Sequence, residues 1–192
     1  MNIKNIIALL YGKKHACPPW LCFSFDNIFR KRIQDPFKIL AGHVRPGDAV
    51  LDLGPGPGYY TFPLSKIAGD RGIVYAADIQ KGMLDIISEK ARGTGVKNIK
   101  CLLIGDGIID AQEKFDFILM FWMFHEVDDQ RGYLLQLKDL LKADGRIMFV
   151  EPIFHVTKND FEKEEEEFKK AAFEICGRPR IAFSRSLLLR AL

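Results

Sequence analysis

Charge of one sign is what this sequence most plainly lacks. Over 192 residues, 28 Lys and Arg stand against 25 Asp and Glu, interspersed along the chain, so no basic stripe exists to follow a nucleic-acid backbone and no nucleic-acid partner is expected. Cysteine is scarce as well. Cys17, Cys22, Cys101 and Cys176 show neither the paired C-x-x-C spacing of a zinc site nor the density of a secreted disulfide scaffold, and no metal site is expected. Reduced thiols of a cytoplasmic protein, buried as small apolar side chains, fit that usage. No run approaches the roughly 18 to 20 uninterrupted apolar residues that a membrane-spanning helix needs. The opening segment Met1 to Leu10 looks like a short signal peptide, but Lys13, Lys14 and His15 follow with no small-residue cleavage site. It reads instead as a helix or arm of the folded protein. Internal repeats and low-complexity linkers are also missing. With 48% hydrophobic residues, the chain suits one domain over 1–192 and is too short for two ordinary α/β domains.

What is present is alternation. Ala49 to Leu53, Gly72 to Ala77, Ile99 to Ile104, Phe115 to Phe121 and Arg146 to Glu151 are compact, β-branched or aromatic runs bounded by Gly, Asp or Pro, and read as strands. Between them Tyr59 to Ala68, Lys81 to Arg92 and Gln130 to Leu141 repeat apolar residues every three or four positions, as helices on a sheet do. This rhythm predicts right-handed βαβ crossovers and a mostly parallel sheet covered on both faces. The tail departs from it: a charged helix over Lys158 to Ala171 precedes Phe173 to Cys176 and Ala182 to Leu189, which fit two strands joined by a turn. The acidic run Glu162 to Glu167 lies within helical spacing of Phe161, Phe168 and Ala172 and reads as a solvated helix face. Asn27 to Ala41 is expected to be helical.

The strongest local signal is Val50-Leu-Asp-Leu-Gly54-Pro-Gly56-Pro-Gly58-Tyr59, a strand running into a glycine-rich turn and then a helix. Glycines at alternate positions let backbone lie against a ligand. The following strand ends in Asp78, where nucleotide folds place a carboxylate for ribose hydroxyls. The third strand leads into Ile104-Gly-Asp106-Gly107, and Asp106 could accept a bond from an adenine amino group, the lesser alternative being a cap on its own loop. The G-x-G-x-G spacing differs from the G-x-G-x-x-G of pyrophosphate-binding dinucleotide sites. Asp52, two residues before the first glycine, would repel a pyrophosphate but could hold a cationic amino-acid moiety, directly or through water. S-adenosylmethionine fits that pattern better than NAD. Asp52 could also bond the loop's own amides.

These segments, taken together over Asp48 to Glu151, resemble the class I S-adenosylmethionine-dependent methyltransferases, in particular the methyltransferase-domain type 11 group. Val50 to Gly58 is similar to the first motif, Val74 to Asp78 to the acidic second-strand motif, Phe115 to Val127 to the fourth-strand motif, and Leu140 to Glu151 to the fifth. The resemblance implies a Rossmann-like, doubly wound, mostly parallel seven-stranded sheet in three αβα layers, ending in an antiparallel hairpin. It implies that Gly54, Gly56 and Gly58, with Tyr59 after them, border the methionine part of the cofactor and that Asp78 takes the ribose. Ile79 and Met83 would flank the adenine, Asp106 with Gly107 would read it, and Phe121 and Trp122 would lie near the methionine arm. Pro55 and Pro57 depart from the small residues usual in that loop; they stiffen it and remove two amide donors.

Methyl transfer needs positioning more than apparatus, and a base only where the acceptor must lose a proton. His125 and Glu126, just after the fourth strand, are the candidates. The acceptor is expected to be a small molecule. His15 to Phe25, within an N-terminal arm over 1–45, is placed where it could form a lid over an apolar acceptor or simply pack on the sheet. Cys17, Cys22 and Cys176 could bind a thiophilic metalloid, though separate structural cysteines explain them better. The Asn-Pro-Pro-Tyr or Asp-Pro-Pro-Tyr motif of nucleobase and glutamine methylation is absent, Phe121-Trp-Met-Phe124 standing in its place. Two rivals remain: a non-catalytic module that binds or senses the cofactor, and an NAD-dependent oxidoreductase, for which no Tyr-x-x-x-Lys is visible.

Overall fold

The computed structural model describes residues 32–192. Seven strands, β1 (Ala49–Leu53), β2 (Ile73–Asp78), β3 (Ile99–Leu103), β4 (Phe115–Phe121), β5 (Leu141–Pro152), β6 (Phe173–Gly177) and β7 (Ser184–Ala191), form one sheet in the order β3-β2-β1-β4-β5-β7-β6. All neighbours are parallel except β7, which runs antiparallel to both β5 and β6. The expected hairpin is therefore the far edge of the sheet, with β7 inserted between β5 and β6. Helices α1 (Pro36–Leu40), α2 (Thr61–Ala68), α3 (Lys81–Thr94), α4 (Gln130–Leu140) and α5 (Lys158–Lys170) complete the described elements, with a 3₁₀ turn at Phe124–Glu126.

The central strands are apolar on both sides because both sides are covered. Val50, Phe117, Leu119 and Val150 pack with Leu40 of α1 and Leu64 and Ala68 of α2. Leu51, Ile118, Met120 and Phe149 pack with Leu134 and Leu137 of α4 and Phe161 and Phe168 of α5. Chain direction along the sheet reverses between β1 and β4, and in such sheets the crevice at the carboxyl ends of those strands is the ligand site.

Several boundaries differ from the sequence expectation for local reasons. The helix expected over Asn27 to Ala41 is interrupted within its described part: Asp35 caps a new start by accepting the Phe37 amide at 3.0 Å, and Pro36 occupies the first helical position. Strand β5 begins at Leu141 rather than Arg146. A Cβ at Gly145 would stand 2.8 Å from the Phe115 carbonyl oxygen, so a polar, turn-like stretch passes against β4 only because that position is glycine, and the register slips there. Within the acidic run, Glu164 is buried, on the inward face of α5 with Phe161 and Phe168, rather than solvated. The cysteine expectation is also corrected: Cys101 on edge strand β3 and Cys176 on edge strand β6 are exposed, because edge strands alternate toward solvent. The lid segment, Cys17 and Cys22 lie outside the described residues.

Candidate cofactor site

A cavity of about 580 Å³ opens at the carboxyl ends of β1, β2 and β4. Its floor is the glycine loop. Gly54 (φ +62°) donates its amide to Ala77 at 2.9 Å, and a Cβ there would meet the Met123 Cβ at 2.8 Å. Gly56 (φ +53°), which lines the cavity, has nothing within 4 Å of a built Cβ. Gly58 is used differently: its missing Cβ admits the Phe62 ring and Ile87, which seats helices α2 and α3 behind the loop.

Asp78, at the end of β2, is nearly buried on the cavity wall and accepts the Gln80 amide at 2.8 Å. Burial raises its pKa, and hydrogen bonds from the Gln80, Gly56 and Ile79 amides act against that rise. The carboxylate thus ties the glycine loop to the β2 turn. Ile79 and Met83 extend the same wall, and Asp106 (φ +52°) with Gly107 and Ile108 forms the wall after β3. No helix intervenes between β3 and β4; the loop is instead clamped by Gln136 of α4, whose amide nitrogen donates to the Gly107 carbonyl at 2.9 Å while its oxygen accepts the Ile109 amide at 3.1 Å.

Trp122, Met123, Glu126, Asp128 and Asp129 complete the wall after β4. Trp122 has φ +61°, an outlier for a bulky residue, and its indole nitrogen donates to the Ser184 hydroxyl at 3.0 Å. Five carboxylates line the cavity (Asp78, Asp106, Glu126, Asp128 and Asp129), and no Lys, Arg or His does among the described residues.

Asp52, Gly58, Tyr59, Phe121 and His125 are not among the lining residues. Asp52 lies beneath the loop, buried, and accepts the Thr61 hydroxyl at 2.6 Å. Burial pushes its carboxyl up to about 7, against the pull of the Thr61 bond and helped by the charge of Asp78. Tyr59 turns to the α1 side and donates to the Gln34 carbonyl at 3.0 Å. Phe121 packs on Tyr60 with ring centres 4.3 Å apart. His125 is held by Glu151 at the end of β5: the buried carboxylate accepts the Phe124 amide at 2.9 Å and the His125 amide at 3.3 Å, and its other oxygen is 2.5 Å from His125 Nδ1. Burial lowers the His125 pKa, but the Glu151 bond and charge, with Glu126 and Glu164, outweigh it and leave it raised.

A model of the methyltransferase-domain family, type 11, matches residues 51–149, which carry β2 to β4, most of β1 and β5, and the residues lining the cavity. The chain belongs to that family. As a class I methyltransferase-domain protein it is 34% identical over 157 residues to the ubiquinone/menaquinone biosynthesis C-methyltransferase of Haemophilus ducreyi, covering 79% of this chain and 59% of that protein. It is 31% identical over 114 residues to an aklanonic acid methyltransferase of a Streptomyces strain, covering 56% and 50%. The chain spans about half the length of the curated relatives it matches. A solved SAM-dependent methyltransferase from Aquifex aeolicus superposes with a TM-score of 0.82 at 25% identity, over 92% of this chain and all of that one. S-adenosylmethionine dependence is stated for that solved neighbour. The cavity here suits a cationic adenosyl ligand, its charged lining residues all being acidic, with apolar side chains between them.

Sequence reasoning passed over Glu151, Met123, Asp128, Asp129, Tyr133 and Gln136. Glu151 carried a readable signal, an acid closing an otherwise apolar strand at the ligand edge. Tyr133 and Gln136 stand three apart on α4, and only the helix's docking turns that face into the cavity.

Proposed function

We propose that this protein transfers a methyl group from S-adenosylmethionine to a small, largely apolar acceptor, the chain acting as one methyltransferase domain. The observation that carries the reading is the all-acidic wall: five carboxylates without a cation oppose a pyrophosphate and suit a positively charged ligand rich in hydroxyl and amino donors. When bound, the cofactor supplies a methyl group on a sulfonium, poised for in-line displacement. Gly54 and Gly56 let backbone border its amino-acid arm, and Asp78 accepts the ribose hydroxyls. Ile79 and Ile108, exposed apolar side chains at the rim, cover the purine faces together with Met83, while Asp106 and Gly107 meet its edge. Asp52 acts through the loop and not by contact.

Of the two base candidates, His125 has the geometry of an oriented base, with Nδ1 engaged by Glu151 and Nε2 left for the acceptor proton. Glu126 stands on the cofactor wall beside Asp78, and burial raises its pKa. Methylation of an apolar phenol or activated carbon is the reaction in which such a base is useful. Calorimetric titration with S-adenosylmethionine, S-adenosylhomocysteine and NAD in parallel tests the reading. Micromolar binding of both adenosyl ligands without NAD is expected, followed by turnover in a screen that begins with apolar phenols; binding of NAD alone overturns it.

A further inference from the structure

Tyr133 presents the least explained group in the cavity. Its side chain is 6% exposed and lines the wall, yet its hydroxyl has no hydrogen-bond partner among the described residues. Buried hydroxyls without partners are rare because the lost hydration is not replaced. The position is fixed from several sides. Asp129 caps α4 by accepting the Gly132 amide at 2.9 Å, the Tyr133 amide donates to the Asp129 carbonyl at 3.0 Å, and the ring lies against Phe124. One turn on, Gln136 holds the loop over Gly107 to Ile109. Tyr133 in the cavity wall, with its buried unpartnered hydroxyl, and the Gln136 loop clamp thus stand one turn apart on the same helix.

We infer that Tyr133 is a cofactor-binding residue whose hydroxyl donates a hydrogen bond to an uncharged acceptor atom of the adenosyl group, a purine ring nitrogen or a ribose oxygen. The inference rests on the S-adenosylmethionine reading of the site. Burial and the charge of Asp78 raise the phenol's pKa, so it stays protonated and keeps its donor. The charged residues on the wall are carboxylates, which only accept; Tyr133 supplies a complementary donor for an acceptor atom of the ligand.

The test is calorimetric binding of S-adenosylhomocysteine to the full chain and to Y133F, which keeps the ring, with circular dichroism melting to confirm the fold. Wild-type binding tests the cofactor reading by itself. With that established, Y133F is expected to bind about tenfold more weakly, the loss of one buried hydrogen bond. Repeating the pair with 1-deaza, 3-deaza, 7-deaza, 2′-deoxy, 3′-deoxy and carbocyclic analogues, which remove each purine ring acceptor and each ribose oxygen in turn, identifies the atom: the analogue lacking it binds wild type and Y133F alike. Equal affinity of folded Y133F and wild type for S-adenosylhomocysteine overturns the inference and leaves the cofactor reading standing. A tenfold loss that persists with every analogue also overturns it, since the phenol would then act through packing.

Discussion

Asp52 offers a sharp test of how the glycine loop is supported. Its carboxyl, ordinarily near 3.8, is pushed up to about 7 by complete burial beneath the loop, despite the Thr61 bond. Three pH units correspond to about 4 kcal/mol of differential stability. Below pH 3.8 both folded and unfolded chains hold the proton. Between 3.8 and 7 the unfolded chain ionises first, so the folded state loses about 1.4 kcal/mol per pH unit; above 7 the deficit is complete. Asp52→Asn keeps the shape and an oxygen for Thr61 but cannot ionise. Urea unfolding of both proteins at pH 5, 6, 7 and 8 should show the variant gaining on wild type by about 3 kcal/mol across that range, and relief of the charge on Asp78 acts in the same direction. A stability difference constant to within about 0.5 kcal/mol from pH 5 to pH 8 would refute the claim that Asp52 is ionised at a cost in the folded protein.

Asp78→Ala should weaken S-adenosylhomocysteine binding by about ten- to a hundredfold, since charged hydrogen bonds are worth about 1.5–3 kcal/mol; unchanged affinity by calorimetry removes Asp78 from the site. Gly54→Ala and Gly56→Ala both strain a positive φ by about 1–2 kcal/mol, but only the first collides with Met123. Melting temperature should therefore fall further for Gly54→Ala, while Gly56→Ala should lose ligand affinity for a smaller loss of stability; the reverse ranking contradicts the cavity geometry. If His125 is the base, the acid limb of the rate profile lies above the ordinary histidine value, because the raised pKa keeps His125 protonated to higher pH. Glu151→Gln removes the main cause of that rise and should shift the limb to lower pH with a slower maximal rate; an unmoved limb excludes His125 as the titrating group.

The parallel strands were legible because each is a short apolar run closed by a turn residue, and Ala49–Leu53 and Phe115–Phe121 coincide with the expectation at both ends. The start of β5 was not legible, because Lys142 to Gly145 has the composition of a turn and its extension depends on the approach to the Phe115 carbonyl. The break at Asp35 and Pro36 was written in the sequence as a cap followed by proline, and the apolar periodicity around it concealed it. The candidate site divides along the same line. Gly54, Gly56, Asp78 and Asp106, expected at a ligand from their places at or just after strand ends, line the cavity, and strand ends are local. Glu164, Tyr133 and Gln136 lie on helices, whose inward faces are settled by docking, and Tyr59 and Asp52 adjoin the loop in sequence while pointing away from its cavity.

Connections from one parallel strand to the next ordinarily carry a helix that holds the loop's ends rigid. The chain from 104 to 114 has none, and a free segment of that length would surrender much conformational freedom each time a ligand ordered it. The two bonds from Gln136 remove that freedom in advance. Preorganisation of this side of the cavity is thereby delegated to α4, the same helix that carries Tyr133, so any displacement of α4 moves the loop clamp and the phenol together.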